Sequence, residues 1–500
     1  MNRSKTLHFL VCIITSDKIC LVQSYQSKFT HSFIFSLLVE AFGKGVTVTN
    51  IMRQPKQLVV ILIFLFSIFI PSCGWIGTKS KCSPPPSYNT AEQYSSPSKR
   101  LKVHIYLDGT ESMKGFIVAG KSSRYQQILP LLESAVLRGW KDANVVFSKF
   151  GTSITELPER SYLKAQSTEF YADPNINKKT FIQEVIKQAH PDNLTIIITD
   201  LFQQDADVNQ ITEGVKAKYI NGNLAVGVLG CKSEFKGKIF DVGPKAYTFE
   251  YDSYDDAKRF RPFYVLALGK HSDISNYFDY VLKDGSFLSE PQPLIFSRHF
   301  AEKLVSFNGA TITEISKMAE VENLIPIDVK DNRVKQFSIK NSSDVNGSFS
   351  IPLDFKALPY TIPIKPQELK PEISVFKCGT EQNPNADQNN EAEAVRGLNI
   401  KANLNESKID LKADVVPTNL PDIGIYGFQI ILRPSNYQMP DWVINWNMDG
   451  GKVEEWRTSP NDFNGATTYN LKPFLTNLWE NTLQIHNPKV AELYCYIKKE

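Results

Sequence analysis

Several features that would place a chain in a familiar class are scarce in this sequence. Its 500 residues include only seven Cys and seven His, too few and too scattered for a disulfide scaffold or a zinc framework. Lys and Arg number 56 against 53 Asp and Glu, and this balance gives no reason to expect a nucleic-acid partner. Apolar residues make up 42% and charged residues 22%, which excludes a largely disordered chain, a fibrous repeat and a polytopic membrane protein. A globular chain of this length should hold two or three domains.

One apolar run near the N-terminus is the first informative feature that is present. Leu58–Ile70 reads LVVILIFLFSIFI without a charge, and it is shorter than the roughly 20 residues that a membrane-spanning helix needs. Arg53 and Lys56 precede the run, and Ile70-Pro71-Ser72-Cys73 closes it. A basic start, a short apolar stretch and a small residue before a cleavage point are typical of a secretory signal.

A Cys directly after that small residue resembles the lipobox of bacterial lipoproteins, over residues 52–73, with Pro71 where a small residue is usual. The resemblance implies cleavage of a signal at 52–72 and a lipid on Cys73. It also implies a bacterial envelope protein, anchored to the membrane by that lipid and facing the periplasm or the surface. The alternative is a buried core helix or strand. Because Met52 stands just before Arg53, where a start codon would be, residues 1–51 are expected to be an over-extended N-terminus. Residues 73–99 are rich in Ser, Pro and Lys and are expected to be a flexible tether.

Between residues 100 and 285, short apolar runs alternate with amphipathic ones. Lys102–Leu107 and Leu194–Thr199 are predicted strands, and each is followed by an acidic residue, Asp108 and Asp200. Tyr125–Arg138 is a predicted helix with one apolar face. The alternation predicts an α/β fold, a doubly wound and mostly parallel sheet with helices on both faces. In such folds the functional residues lie at the carboxyl ends of the strands.

The order strand, Asp108-x-Thr110-x-Ser112, helix, then a strand ending in Thr199-Asp200, resembles the von Willebrand factor A (VWA) domain over about residues 100–285. The resemblance implies a Rossmann-like fold with a metal-ion-dependent adhesion site. In that family the cation is held by Asp-x-Ser-x-Ser, a Thr from a second loop and an Asp after a later strand, and a partner protein supplies a carboxylate to its open position. The residues carried over are Asp108, Thr110, Ser112 and Asp200. Thr110 replaces Ser and keeps the hydroxyl, whereas Leu201 stands where the family has Gly.

The second-loop Thr is assigned to Thr180, because it opens a predicted helix at the family's position. Thr168, Ser167 and Thr152 are the rivals. Carboxylates and hydroxyls are hard oxygen donors, so Mg²⁺ is the expected ion, with Mn²⁺ or Ca²⁺ as alternatives.

Two other interpretations compete for the same residues. Asp108 and Asp200 could cap the helices that follow them. Leu107-Asp108-Gly109-Thr110 also looks like the haloacid dehalogenase phosphatase motif, Asp-x-Asp-Gly-Thr, but Tyr106 occupies the place of its nucleophilic Asp, so no aspartyl-phosphate can form. Asp205 and Asp207 could rim the site or begin the next helix.

Residues 286–330 are predicted to be a connecting segment, in which Ala301–Glu322 has helical periodicity. Residues 331–500 are predicted to form a β-rich, sandwich-like domain. Trp442–Trp446 is among its predicted strands, and Pro473–Gln484 is a predicted helix. The tryptophans are expected in the core rather than stacked on a sugar, and Cys378–Cys495 is one candidate disulfide.

The sequence contains no nucleophile–base pair, phosphate loop or zinc spacing, so the protein is not expected to be an enzyme. The leading hypothesis is a lipid-anchored envelope protein whose VWA-like domain binds a protein partner through a divalent cation. The alternatives are a scaffold of the envelope without a working metal site and a hydrolase that uses Asp108 and Asp200 to hold a catalytic metal.

Overall fold

This computed structural model describes residues 97–118, 120–201, 208–315, 317–318, 321–322, 325–327, 334–339, 346–362, 367–377, 394–435, 437–486 and 489–500. The expected signal, Cys73 and most of the tether lie outside these residues, as do positions 1–51 and Asp205 and Asp207. The described residues belong to one compact unit, Ser80–Glu500. Within that part of the chain, no helix combines the length and apolarity required to cross a membrane.

The first half of the unit is built on a seven-stranded sheet, in the order β3-β2-β1-β4-β8-β5-β9. The strands of this sheet are β1 (Lys102–Asp108), β2 (Asn144–Phe150), β3 (Ile154–Leu157), β4 (Leu194–Thr199), β5 (Ala225–Ser233), β8 (Arg261–Gly269) and β9 (Ser289–Phe296). A separate hairpin is formed by β6 (Lys236–Val242) and β7 (Tyr247–Asp252). The helices of this half are α1 (Arg124–Gly139), α2 (Ile182–Gln188), α3 (Val208–Val215) and α4 (His271–Asp284).

Local sequence explains the best predicted elements. All six residues of β4 are buried, in agreement with a run of β-branched and apolar residues without alternation. Ser123 and Gln126 form a capping box at the start of α1, which satisfies two backbone N–H groups. The α/β character of this region is therefore confirmed.

The prediction of a mostly parallel sheet is wrong. Only β2, β1 and β4 are parallel neighbours, whereas β8 runs antiparallel to both β4 and β5. The cause is the connection after β5. A helical crossover would have returned the chain to the opposite edge, but the chain forms the β6–β7 hairpin instead, and β8 then starts at the edge where β5 ends.

The second half is β-rich, as expected, but its described residues form one nine-stranded sheet rather than the two facing sheets of a sandwich. The order is β10-β15-β18-β17-β16-β19-β20-β14-β13. The strands of this sheet are β10 (Glu314–Ile315), β13 (Ile325–Ile327), β14 (Val334–Ile339), β15 (Gly347–Asp354), β16 (Gln367–Lys377), β17 (Leu398–Leu404), β18 (Lys408–Val415), β19 (Gly424–Pro434) and β20 (Ala491–Lys499). A separate pair is formed by β11 (Lys317–Met318) and β12 (Val321–Glu322). The helical prediction for 301–322 is wrong for the described residues of this segment, which contain no helix and pair in places as short strands, such as β10 with β15.

The chain between β19 and β20 is largely helical. It contains α5 (Asp441–Asn445), α6 (Val453–Thr458) and α7 (Leu471–His486), so α7 confirms the predicted helix and α5 replaces a predicted strand. Trp442 and Trp446 lie four residues apart on one side of α5, with ring centroids at 5.3 Å. A Cβ at Gly230 of β5 would lie 2.8 Å from the Trp446 ring, so these tryptophans pack against the first sheet.

One hydrophobic cluster joins the two sheets and the helical segment. It includes Ile197 of β4, Phe428 of β19 and Leu475 of α7, all fully buried. The four tryptophans Trp442, Trp446, Trp456 and Trp479 are buried as well. The two halves therefore share a core. Cys495 is a buried free thiol in β20, and Cys378 lies outside the described residues.

Candidate functional site

Three charged side chains meet at one edge of the seven-stranded sheet. Asp108 ends β1 and Asp200 directly follows β4, so both lie at the carboxyl edge of parallel strands. Because β8 is antiparallel, its first residue, Arg261, lies at the same edge. The exposed fractions are 0%, 1% and 4% respectively. Charges this buried require partners, because they have lost their hydration.

Asp108 accepts hydrogen bonds on both carboxylate oxygens. Its Oδ1 accepts from the backbone N–H of Thr110 at 3.0 Å and from Thr110 Oγ1 at 2.6 Å. Its Oδ2 accepts from Thr199 Oγ1, at the end of β4, at 2.7 Å. Thr199 was not among the predicted site residues, although it directly precedes Asp200 in the sequence. The bond ties the two strand ends together.

Two further contacts bring in the other loop residues. Ser112 Oγ donates to Asp200 Oδ1 at 3.3 Å and lies 3.1 Å from Thr110 Oγ1. Thr180 Oγ1 donates to Thr110 Oγ1 at 3.2 Å. The structure thus brings the five predicted residues Asp108, Thr110, Ser112, Thr180 and Asp200 into one cluster, which we call the oxygen cluster.

The rival second-loop hydroxyls bond elsewhere. Thr152 Oγ1 accepts from the backbone of Lys179, Ser167 donates to the carbonyl of Lys164, and Thr168 lies beside Glu169. Thr180 itself is fully buried, two residues before α2 begins rather than within the helix. Thr180 is favoured over its rivals because it is buried and because its hydroxyl bonds to Thr110.

Helix capping does not account for Asp108. The next helical turn spans Glu111–Phe116 with Thr110 as its N-cap residue, and α1 is capped by Ser123. The carboxylate of Asp108 instead closes a local turn to Thr110 and reaches across to β4. Its position is set by the loop and the neighbouring strand.

Burial makes the ionised form of Asp108 unfavourable. The loss of hydration, and then the nearby charge of Asp200, raise the pKa of Asp108 to about 7, against the smaller lowering effect of the hydrogen bonds from Thr110 and Thr199. A cation placed between the two carboxylates would reverse this effect, because it would favour both ionised forms.

Arg261 is the second site residue, after Thr199, that the sequence did not reveal. Its Nη2 donates to Asp200 Oδ2 at 3.3 Å, and its Nη1 lies 3.3 Å from the carbonyl oxygens of both Gly465 and Thr467. Its guanidinium carbon lies 5.3 Å from the centre of the Phe235 ring. The only sequence signal is its place two residues before the apolar run Phe263–Leu268, which is typical of a buried strand but does not give the strand's direction.

The chain around residues 463–468 is held against the first sheet at this edge. Tyr264 of β8 donates to Thr468 Oγ1 at 2.8 Å, and the ring of Phe463 stacks on Phe249 at 4.4 Å. With the two contacts to Arg261, these bonds make the C-terminal helical segment part of the site's surroundings.

A surface pocket of about 490 Å³ adjoins the loop that follows Ser112. Its lining includes Val118, Phe235 and Tyr254. Phe235 also packs against Gly115, where a Cβ would come within 2.3 Å of its ring. Phe235 therefore lies between the oxygen cluster's loop, the pocket and Arg261.

The oxygen cluster fits a small divalent cation in two respects. Two ligands at right angles around Mg²⁺, each about 2.1 Å from the ion, lie roughly 3.0 Å apart, and the hydroxyl spacings of 3.1 and 3.2 Å are close to this. Four short oxygen–oxygen contacts join the hydroxyls of Thr110, Ser112 and Thr180 to one another and to the two carboxylates. These three hydroxyls carry only three hydrogens, so one of the four contacts has no hydrogen for a hydrogen bond. Over the described ranges, no group of three or more His, Cys, Asp or Glu is placed to hold a metal, so such a site depends on these hydroxyls.

No family model matches the chain, and neither the curated proteins nor the solved structures contain a match.

Proposed function

We propose that this protein is a lipid-anchored protein of the bacterial envelope that binds a protein partner through a divalent cation in the oxygen cluster. The observation that carries the proposal is the convergence of Asp108, Thr110, Ser112, Thr180 and Asp200, from three separate loops, within 3.3 Å of one another along a chain of contacts. Hard oxygen ligands of this kind suit Mg²⁺ or Mn²⁺. The VWA resemblance supplies the partner's carboxylate as the remaining ligand.

Each residue has a defined part in this proposal. Asp108 and Asp200 supply the negative charge, and Ser112 and Thr110 supply hydroxyl oxygens from the loop after β1. Thr180 supplies one from the loop before α2. The metal would provide a fixed positive charge for an incoming carboxylate. The pocket beside Phe235 and Tyr254 provides surface next to the loop on which a partner could rest.

The ion pair between Arg261 and Asp200 favours a second candidate. A buried guanidinium already compensates one carboxylate without a metal, so the cluster could be a purely structural feature of an envelope scaffold. A metal-dependent hydrolase is a third and weaker candidate, and turnover of a generic phosphoester by the purified protein would support it.

Thermal unfolding with and without Mg²⁺ or Mn²⁺ separates the first two candidates. We expect either ion to raise the Tm of the wild-type protein, because a ligand that binds only the folded state stabilises it. Ser112→Ala should abolish most of the shift, since it removes a ligand oxygen without changing the charge. Ser134→Ala, which removes a hydroxyl on α1 that donates to the carbonyl of Leu131, should keep the full shift. If neither ion changes the Tm of the wild-type protein, the scaffold is the better candidate.

The anchor is tested independently by metabolic labelling with a fatty acid. We expect label on the wild-type protein and none on Cys73→Ala. N-terminal sequencing of the unlabelled variant should also show whether residues 1–51 are present, and their presence in that variant would contradict the expected start at Met52.

A further inference from the structure

Arg261 brings a third charge into the oxygen cluster, and this charge bears on how a cation would bind. A guanidinium does not lose its proton in a protein. Arg261 is also fixed in place, because Asp200 and the carbonyls of Gly465 and Thr467 accept from it and the Phe235 ring lies against it. Its positive charge therefore stays when a metal arrives.

The charges around an occupied site would then be unbalanced. The carboxylates of Asp108 and Asp200 together offset a divalent ion and leave the charge of Arg261 without compensation. Two other buried charged groups among the described residues have partners outside the cluster: Glu234 pairs with Arg124 at 2.5 Å, and Lys149 donates to the carbonyl of Phe170. In a site this buried, salt screens an uncompensated charge poorly.

We infer that Arg261 is an affinity-determining residue of the site, an internal cation that makes tight metal binding depend on a simultaneously bound carboxylate. This inference rests on the proposed metal site. Without a metal, Arg261 compensates Asp200 and keeps the cluster stable. With a metal, the incoming carboxylate restores the balance, so metal and anion bind cooperatively. The single negative charge that this balance requires agrees with the partner carboxylate that the resemblance implies.

The inference is tested by direct titration with Mn²⁺, following the spectroscopic signal of the free ion, in chloride and in acetate. For the wild-type protein we expect weak binding in chloride and an affinity higher by about tenfold or more in acetate. Arg261→Gln should bind Mn²⁺ about tenfold more tightly in chloride, with little further gain from acetate. Arg261→Lys, which keeps the charge, should behave like the wild type.

Arg138→Gln is the matched control, because it removes a guanidinium on α1 that pairs with Asp284 rather than with the cluster. Its Mn²⁺ affinity should equal that of the wild type. If Arg261→Gln does not fold, as judged by circular dichroism, Arg261→Met carries the same test, because acetate dependence of the wild type alone would also follow from a carboxylate bound to the metal.

The outcomes distinguish this inference from the proposed function. If the wild type binds Mn²⁺ and neither acetate nor Arg261→Gln changes the affinity, the inference is wrong and the metal site stands. A gain in Arg261→Lys equal to that in Arg261→Gln would also overturn it, since charge would not be the cause. If neither the wild type nor Arg261→Gln binds Mn²⁺ in either buffer, the proposed metal site fails with it.

Discussion

Thr180 donates a hydrogen bond to Thr110 over 3.2 Å, although 70 residues separate them in the chain. Both hydroxyls are buried, and the bond joins the loop before α2 to the loop after β1. This contact is the one that makes Thr180, rather than another nearby hydroxyl, part of the oxygen cluster.

Thr180→Val is therefore expected to weaken Mn²⁺ binding by about tenfold or more, because it removes one ligand oxygen while keeping the shape of the side chain. Thr180→Ser restores the oxygen and should recover most of the affinity. Titration of both variants measures this. Equal affinities for the two would show that the Thr180 hydroxyl takes no part.

The charge state of Asp108 predicts a dependence of stability on pH in the absence of metal. Since burial raises the pKa of Asp108 to about 7, the folded state holds its proton more strongly than the unfolded chain. Its favourable contribution is full below the ordinary pKa, near 4, and is lost as the pH rises through about 7. Asp108→Asn cannot ionise, so its Tm in chelator should exceed that of the wild type at pH 8, and the difference should shrink towards pH 5.

Asp192→Asn provides the comparison for that experiment, because it removes an exposed carboxylate outside the cluster. It should change the Tm little and similarly at both pH values. An Asp108→Asn protein that is less stable than the wild type at pH 8 would contradict the raised pKa.

The bond from Tyr264 to Thr468 predicts a cost for separating the C-terminal segment from the first sheet. Thr468→Val keeps the volume but leaves the buried Tyr264 hydroxyl without its acceptor, which should cost about 1–3 kcal/mol in the free energy of unfolding. Tyr264→Phe removes the donor and should cost less. The double variant should be close to Tyr264→Phe alone, and chemical denaturation measures all three. Strictly additive costs would mean that the bond is not formed.

Leu201 has a backbone φ of +58°, in the left-handed region that favours glycine. Leu201 stands where the VWA resemblance would place Gly. A β-branched side chain suits this region worse than Leu, and Leu201→Ile should cost about 1–2 kcal/mol more than Leu201→Met. At Leu137, exposed on α1, the same pair of variants should differ by only a few tenths of a kcal/mol. Thermal denaturation of the four proteins makes the comparison.

The parts of this fold that could be predicted depend on neighbouring residues. The buried strand Leu194–Thr199 was predicted with its observed bounds, and α1 within one residue at each end, because hydrophobic period and capping act over one or two turns. The loop residues Asp108, Thr110 and Ser112 could be predicted for the same reason, because they lie only two residues apart in the sequence. The strand predicted at Trp442–Trp446 was wrong, because a short apolar run has no period long enough to separate a strand from a helix, and packing on Gly230 decided it.

By itself, the sequence determined that acidic residues end two strands of an α/β sheet and that hydroxyls lie beside them, since both follow from spacing along the chain. Only the tertiary structure decided that β8 runs antiparallel, that Arg261 consequently faces Asp200, and that residues 463–468 lie against the same edge. These contacts join segments 61 and about 200 residues apart. They depend on which strands pair and which surfaces pack, and local preferences do not specify either.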